Sequence, residues 1–204
     1  LESVEGPKNL DDVKSAFQAV ASRYEMSWEL HDKHYKPRLL IAVSQWGHCL
    51  NNLLNSYKNG TLPVEIVGVV SNHEDMRSLT EWYGLPYHYL PVSKDTKAEQ
   101  EAQILQVMQD TQADFLALAR YMQILSDGLC DQLEGRAINI HHSFLPGFKG
   151  AKPYHQAYDR GVKLIGATAH YVTANLDEGP IIEQAVERVT HANPPEELVE
   201  IGRD

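Results

Sequence analysis

Apolar residues follow two different patterns along the chain, and the first is confined to residues 1–36. Within it, apolar residues in the range 10–21 recur at the spacing of one helix face, and Asn9 or Asp11 is placed to cap that helix. Residues 25–30 then alternate between polar and apolar, which predicts an exposed strand. Because one helix and one strand cannot bury both of their faces, we interpret this segment as part of a separate module that ends in a linker.

From residue 38 onward, short apolar runs alternate with helical patterns. Continuous apolar runs are typical of strands buried on both faces, and their alternation with helices predicts an α/β fold with a doubly wound, mostly parallel sheet. After Gly166, two longer strands separated by a turn are predicted to be antiparallel. The predicted strands cover residues 39–43, 64–70, 87–90, 115–118, 137–140, 167–172 and 181–189, and the helices cover 49–57, 75–83 and 96–108.

The charge and composition of the chain argue against several classes of binding partner. The formal net charge is −10, and a field of that sign repels nucleic acids and anionic membranes, so we expect neither as a partner. No apolar run approaches the roughly 18–20 residues of a membrane span, and residues 1–5 do not begin a secretion signal. The two cysteines, Cys49 and Cys130, make no disulfide framework, which indicates a reducing, cytoplasmic setting.

The segment 138–150 is the richest in candidate chemistry. Asn139 and His141 are two residues apart on a predicted strand, so their side chains project to the same side. An amide and an imidazole side by side can serve one carbonyl group, because the amide stabilises a developing oxyanion and the imidazole moves a proton. The alternative is that these side chains only cap nearby turns.

Asp177 is a second candidate, in the turn between the last two predicted strands. An aspartate shortly before a Gly-Pro pair, here Gly179-Pro180, is normally a turn residue. Its functional interpretation depends on His141, because a carboxylate near an imidazole favours the charged form of the ring and fixes its orientation.

These residues carry a family resemblance. An Asn-x-His-x-Ser-x-Leu-Pro motif that begins at Asn139, followed by an Asp-x-Gly-Pro motif that begins at Asp177, resembles the signature of the folate-dependent formyltransferase family. The resemblance implies a Rossmann-type formyltransferase domain over residues 37–204, with Asn139, His141 and Asp177 as its catalytic residues. The family's folate-binding loop, where backbone groups hold the pterin, matches this chain at Arg120, Met122, Gln123, Ile124 and Leu125.

Longer stretches, such as residues 45–50, 119–125 and 141–146, resemble the branch of the family that hydrolyses 10-formyltetrahydrofolate to formate and tetrahydrofolate. The resemblance implies that the enzyme supplies formate and balances one-carbon folate pools for purine synthesis, with the folate as substrate and no cofactor. This branch carries an N-terminal ACT domain, and residues 1–36 resemble its last helix and strand. We therefore expect a homo-oligomer, amino-acid effectors at a complete ACT domain, and a catalytic domain cut short at its C-terminus.

The loop after the first predicted strand favours a hydrolase over a transferase. Family members that transfer the formyl group to an amine hold a phosphate there in a Gly-Asn-Gly-Ser-Asn loop, whose small residues let backbone amides approach the anion. This chain has Gln45-Trp46-Gly47-His48-Cys49 instead, and the ring of Trp46 is expected to fill the acceptor space or shield the folate. Two alternatives stay open: a phosphoribosylglycinamide formyltransferase, and a non-catalytic folate or amino-acid binding regulator.

Ten histidines invite a zinc hypothesis, with His141, His142, His155 and Asp177 as ligands. Their spacings match no compact zinc motif, and adjacent histidines on a strand face opposite ways, so we expect no metal. We expect His155 and His170 to be structural histidines, with His155 a candidate to border the site.

Overall fold

The chain divides into two units, Leu1–Lys36 and Pro37–Asp204, at the change in residue pattern. This computed structural model describes residues 9–30, 32, 34–148 and 152–202. Within those ranges, no helix is both long enough and apolar enough to cross a membrane.

The first unit contains one helix among its described residues, α1 (Leu10–Arg23). The side-chain oxygen of Asn9 accepts a hydrogen bond from the backbone N–H of Asp12 at 2.9 Å, so the predicted cap is confirmed. Residues 25–30 form no strand, and that prediction is wrong. A strand needs a neighbour to pair its backbone groups, and the described part of this unit offers none.

The apolar side of α1 is only partly covered by its own unit. Phe17 packs edge-on against Trp28, with ring centroids 5.0 Å apart. Val20, Tyr24 and Met26 are nevertheless exposed. This is the exposed apolar surface that the sequence predicts for a lone helix.

The second unit is built on one seven-stranded sheet. Its strands are β1 (Arg38–Val43), β2 (Glu65–Ser71), β3 (Tyr87–Tyr89), β4 (Phe115–Leu118), β5 (Ala137–His141), β6 (Leu164–Tyr171) and β7 (Ile181–Arg188). Their order is β3-β2-β1-β4-β5-β6-β7. Neighbours among the first five strands are parallel, whereas β6 is antiparallel to both β5 and β7. The predicted mostly parallel sheet with two antiparallel strands is confirmed, although β6 begins earlier than predicted, at Leu164.

Six helices of the second unit are present among the described residues. They are α2 (His48–Lys58), α3 (Arg77–Trp82), α4 (Lys97–Asp110), α5 (Asp127–Gln132), α6 (Pro153–Asp159) and α7 (Pro195–Ile201). The first three agree with the predicted helices. The last three are not predicted from the sequence, because a helix of six or seven residues is too short to show a helical repeat of apolar positions.

The core lies on both faces of the sheet around β1. Leu40 packs on one face with Ile104 of α4, and Ile41 packs on the other face with Leu50 of α2. All four side chains are fully buried. Successive residues of a strand point to opposite faces, so this alternation shows helical layers on both sides, as a doubly wound sheet requires.

Helix α4 anchors both ends of the loop that follows β4. The side chain of Gln100 donates a hydrogen bond of 2.6 Å to the hydroxyl of Tyr121. The carboxylate of Glu101 accepts hydrogen bonds from the backbone N–H of Ser126, at 2.8 Å, and from the Ser126 hydroxyl. All the residues of the candidate folate loop lie between these two anchors or next to them, so α4 fixes the loop's course.

Replacement of Glu101 by glutamine is expected to loosen this loop. The substitution keeps the shape of the side chain but removes the charge, and hydrogen bonds to charged groups are stronger than neutral ones. We expect the free energy of unfolding in urea to fall by about 1 kcal/mol or more. Glu99→Gln is the matched control, because Glu99 is exposed on the same helix. Equal stability of the two variants would contradict an anchoring role for Glu101.

Candidate active site

A cavity of about 680 Å³ opens at the carboxyl edge of the parallel strands. This is where doubly wound sheets bind ligands. Its walls come from the start of α2, the loop after β4, the end of β5, the start of α6, and the end of β6 with the turn that follows. The described lining includes His48, residues 120–125, residues 139–142, residues 152–155, His170 and residues 172–174, together with Leu176 and Asp177.

The three predicted catalytic residues meet in this cavity. Asn139 and His141 project from β5, and Nδ1 of His141 lies 3.5 Å from Oδ1 of Asp177. The side chain of Asp177 is 5% exposed, so its carboxylate is buried beside the imidazole. The second ring nitrogen of His141, Nε2, lies 3.4 Å from the carbonyl oxygen of Phe148. Each ring nitrogen of His141 therefore faces an oxygen that can accept a hydrogen bond.

His170 is a fourth polar member of the site, buried and with both ring nitrogens in contact with neighbours, as expected for a structural histidine. Its Nδ1–H donates to the carbonyl oxygen of Tyr171 at 2.9 Å, which leaves Nε2 as an acceptor in the neutral ring. The side-chain amide of Asn139 donates to this Nε2 at 3.2 Å, and Oδ1 of Asp177 lies 3.8 Å away. His170 therefore orients the amide of Asn139 and leaves its second N–H for other partners.

The turn that carries Asp177 has an unusual backbone. Asp177 adopts a left-handed conformation with φ of +57°, which aspartate tolerates better than most residues. At Gly179, a Cβ atom would lie 1.8 Å from the carbonyl oxygen of Tyr171, so only glycine allows the turn to approach β6 this closely. The close approach packs the turn that carries Asp177 against the end of β6.

The loop after β4 lines the cavity at all five of its predicted folate-binding residues, Arg120, Met122, Gln123, Ile124 and Leu125. Within the described part of the chain, no hydrogen bond uses the backbone groups of residues 123–125. The side chains of Met122 and Ile124 are exposed, and Leu125 is buried. Free backbone groups between apolar side chains form a surface that suits a flat heterocycle with polar edges.

The loop after β1 does not place Trp46 where the sequence analysis predicts it. Trp46 is 56% exposed and is not among the described residues that line the cavity, so its ring neither fills the acceptor space nor covers the folate loop. Instead, His48 reaches the cavity from the start of α2. Among the described residues, this stretch thus contributes the polar side chain of His48 to the cavity lining rather than a glycine-rich cradle.

A cluster of three polar side chains, His48, Cys49 and His142, borders this end of the cavity. Sγ of Cys49 lies 3.8 Å from Nε2 of His142, and the His48 and His142 rings are 5.4 Å apart. The Nδ1–H of His142 donates to the carbonyl oxygen of Gly202 at 3.3 Å. Burial, with the positive charge of Arg120, lowers the pKa of His142 to about 4, and burial raises the pKa of the Cys49 thiol. Both groups are therefore uncharged near neutral pH.

The same cluster is the one group of described residues whose ligand atoms could share a metal ion. The relevant atoms of His48, Cys49 and His142 lie within 4.8 Å of one another, and these are zinc-ligand types. The guanidinium of Arg120 is near enough to act on both Cys49 and His142, which disfavours a second cation there. The four zinc ligands considered from the sequence, which include His141, His142 and Asp177, do not converge on one point. His142 faces this cluster, whereas His141 faces Asp177.

Known proteins resemble this chain closely. Residues 37–204 match the family described as formyl transferase. The chain is 55% identical over 198 residues to the formyltetrahydrofolate deformylase of Corynebacterium sp. (strain P-1), a match that covers 97% of this chain and 69% of that protein. The crystal structure of formyltetrahydrofolate deformylase from Burkholderia mallei ATCC 23344 matches with a TM-score of 0.87 at 55% identity, over 96% of this chain and 69% of the other.

Transferases of the same fold are more distant. Glycinamide ribonucleotide transformylase 1 from Symbiobacterium toebii matches with a TM-score of 0.76 at 28% identity, over 86% of this chain and 84% of the other. The chain spans about two thirds of the length of the deformylases that it matches. Its match to the Corynebacterium protein runs over more residues than the second unit contains, so it extends into the first unit.

Replacement of Gly179 by alanine is expected to displace the turn that carries Asp177. The added methyl group would meet a backbone carbonyl, which cannot move aside as a flexible side chain can. Overpacking of this kind costs about 1–3 kcal/mol of unfolding free energy, and the imidazole NMR signals of His141 should shift as the carboxylate moves. Gly128→Ala is the matched control, because nothing lies within 4 Å of its Cβ position in α5. Unchanged His141 signals in Gly179→Ala would contradict the role of this close approach.

Proposed function

The chain belongs to the formyl transferase family and, within it, to the formyltetrahydrofolate deformylases, and from this premise we propose that it hydrolyses 10-formyltetrahydrofolate to formate and tetrahydrofolate. The observation that carries the proposal is the convergence of Asn139, His141 and Asp177 in one cavity. A pure binding module needs no such set, which argues against a non-catalytic regulator.

In the proposed reaction, water attacks the formyl carbon and the bond from that carbon to N10 of the folate breaks. The carbonyl oxygen carries a negative charge in the tetrahedral intermediate, and this charge needs donors that are already in place. One N–H of the Asn139 amide is directed to His170, and the other is the proposed oxyanion donor. His141 supplies a second donor, because its contact to Phe148 at 3.4 Å is long enough for a substrate oxygen to replace it.

Asp177 is proposed to stabilise the imidazolium of His141 and to order the attacking water. Its carboxylate faces Nδ1 of His141 at 3.5 Å, which fixes the ring in the orientation that points Nε2 away from Asp177. A proton must reach N10 as tetrahydrofolate leaves, and His141 can deliver it directly or through water. The attacking water supplies both the oxygen of formate and the replacement proton, so the reaction balances without a cofactor.

The part of the cavity where the acceptor of the formyl group would bind favours hydrolysis over transfer to a nucleotide. A phosphate cradle needs several free backbone amides that face one point, and glycines make that approach possible. Here the side chains of His48 and His142 line the cavity instead, with Cys49 behind them. Water is small enough to reach the formyl carbon past these groups, whereas an amine on a ribonucleotide needs more room.

The pterin is proposed to lie against the loop after β4. Residues 123–125 offer backbone donors and acceptors, and Leu125 offers a buried apolar contact. For the first unit, we propose a part of an ACT-like regulatory domain, with α1 as one of its helices. Assembly with further copies of the chain would cover its exposed apolar residues, and amino acids are the expected class of effector for a complete domain of this kind.

Formate release in the absence of any amine is the test of the proposed reaction. The intact chain should convert 10-formyltetrahydrofolate to formate and tetrahydrofolate in buffer alone, measured by folate absorbance and by a coupled formate assay. Glycinamide ribonucleotide at ordinary concentrations should neither accept the formyl group nor slow formate release. Rapid formylation of that nucleotide would assign the chain to the transferases instead.

The substitution Asp177→Asn should reduce turnover far more than it weakens folate binding. Asp177 is assigned to charge that develops during the reaction, and such an interaction lowers the rate without a matching change in affinity. We expect kcat to fall by about 10²–10³-fold, with a dissociation constant for tetrahydrofolate close to that of the unmodified chain. Asp159→Asn is the control, because it removes the same charge from an exposed position on α6. Unmodified turnover in Asp177→Asn would remove Asp177 from the mechanism.

A further inference from the structure

Arg120 occupies a backbone position that few residues adopt. It lies two residues beyond the end of β4, and its φ of +62° lies in the left-handed region, which costs a residue with a Cβ atom roughly 1–2 kcal/mol. Its carbonyl oxygen accepts a hydrogen bond from the backbone N–H of Ser44 at 3.2 Å, so the strained conformation is held by the loop after β1. A strained residue at the edge of a site indicates that the direction of its side chain has a function.

The guanidinium of Arg120 lacks the partners that such a group normally has. The residue is half-buried and lines the cavity. Its Nε is fully buried without a hydrogen-bond partner, and no ion pair within the described residues includes it. Buried polar groups are almost always paired, so an unpaired cation in a cavity indicates a ligand of opposite charge.

The side chains around Arg120 do not supply that charge. Its electrostatic influence reaches Cys49, His142 and Tyr154. Burial raises the pKa of the Cys49 thiol and of the Tyr154 hydroxyl, and burial lowers the pKa of His142 to about 4, so all three are uncharged near neutral pH. In a chain with a formal net charge of −10, this end of the cavity is a local positive region.

We propose that the guanidinium of Arg120 binds the carboxylate of formate, the product of the reaction proposed above, on which this inference rests. Formate is released beside His141, and the next residue in the chain, His142, already lies within the influence of Arg120. A guanidinium offers two parallel N–H donors that match the two oxygens of a carboxylate. The subsite would separate formate from tetrahydrofolate after the bond breaks, and would disfavour the reverse attack.

Size and position favour formate over the glutamate tail of the folate. Arg120 lies on the side of the loop that faces the side chains of Cys49 and His142, whereas the candidate pterin surface is formed by residues 123–125. A partly buried guanidinium beside these packed side chains leaves room for a small planar anion.

The test compares formate binding in the intact protein with that in three variants. Arg120→Gln removes the charge without adding a branched side chain at the left-handed position, and Arg120→Lys keeps the charge but loses the paired donors. Arg188→Gln is the matched control, because Arg188 is exposed on β7. Formate affinity is measured without folate by ¹³C-formate NMR titration, and during turnover as the product-inhibition constant.

We expect formate binding to weaken by about tenfold or more in Arg120→Gln, by less in Arg120→Lys, and not at all in Arg188→Gln. Any change in the KM of Arg120→Gln should be the same for folates with and without the glutamate tail, because the side chain is not assigned to the tail. Thermal unfolding of each variant shows whether it is folded, and Arg120→Lys provides the comparison if Arg120→Gln is not.

Two results would overturn the inference. The first is equal formate affinity in Arg120→Gln and Arg188→Gln. The second is a raised KM in Arg120→Gln that is confined to the glutamylated folate, with formate affinity unchanged, which would assign the side chain to the tail. Failure of the proposed function has a different signature: the unmodified chain would release no formate from the folate, whatever the titration with formate alone shows.

Discussion

The reversal of chain direction between β5 and β6 is the constraint on which the site depends. Because β6 is antiparallel, it ends at Tyr171, opposite Ile138 near the start of β5. Asp177 nevertheless contacts His141 at the other end of that strand. The turn after β6 must therefore come back along the sheet, and this return explains two local features. The first feature is the left-handed backbone of Asp177. The second is Gly179, which lies so close to β6 that a side chain with a Cβ atom would not fit there.

The cavity is divided electrostatically into two regions. At one end, the carboxylate of Asp177 faces His141, the pair to which the proposed mechanism assigns proton transfer. At the other end, burial keeps His142 and Cys49 uncharged and leaves Arg120 as the charged group. His141, the last residue of β5, and His142, the residue after it, thus have different electrostatic surroundings, because each faces a different set of neighbours. In the proposed reaction, this division separates the place where charge develops from the proposed binding place of the charged product.

The sequence predicts those parts of the fold that depend on local pattern, and misses those that depend on pairing between distant segments. Buried strands and long helices leave apolar runs and repeats, so they could be located. The strand predicted at residues 25–30 does not form, because the described part of the first unit contains no neighbouring strand with which it could pair. His170 could not be recognised, because only the register of β6 places it opposite Asn139. The direction of Trp46 away from the cavity, and of His48 into it, depends on how α2 begins, which local composition does not determine.

The fold alone does not decide between hydrolysis and transfer, because a transformylase shares it at a TM-score of 0.76 with 28% identity. The same amide, imidazole and carboxylate can serve attack by water or by an amine, so the acceptor side must make the difference. A nucleotide phosphate needs several converging donors and space for the ribose. This chain offers one guanidinium, Arg120, beside the packed side chains of His48, Cys49 and His142. That arrangement suits a small planar carboxylate, and it leaves water as the acceptor that fits.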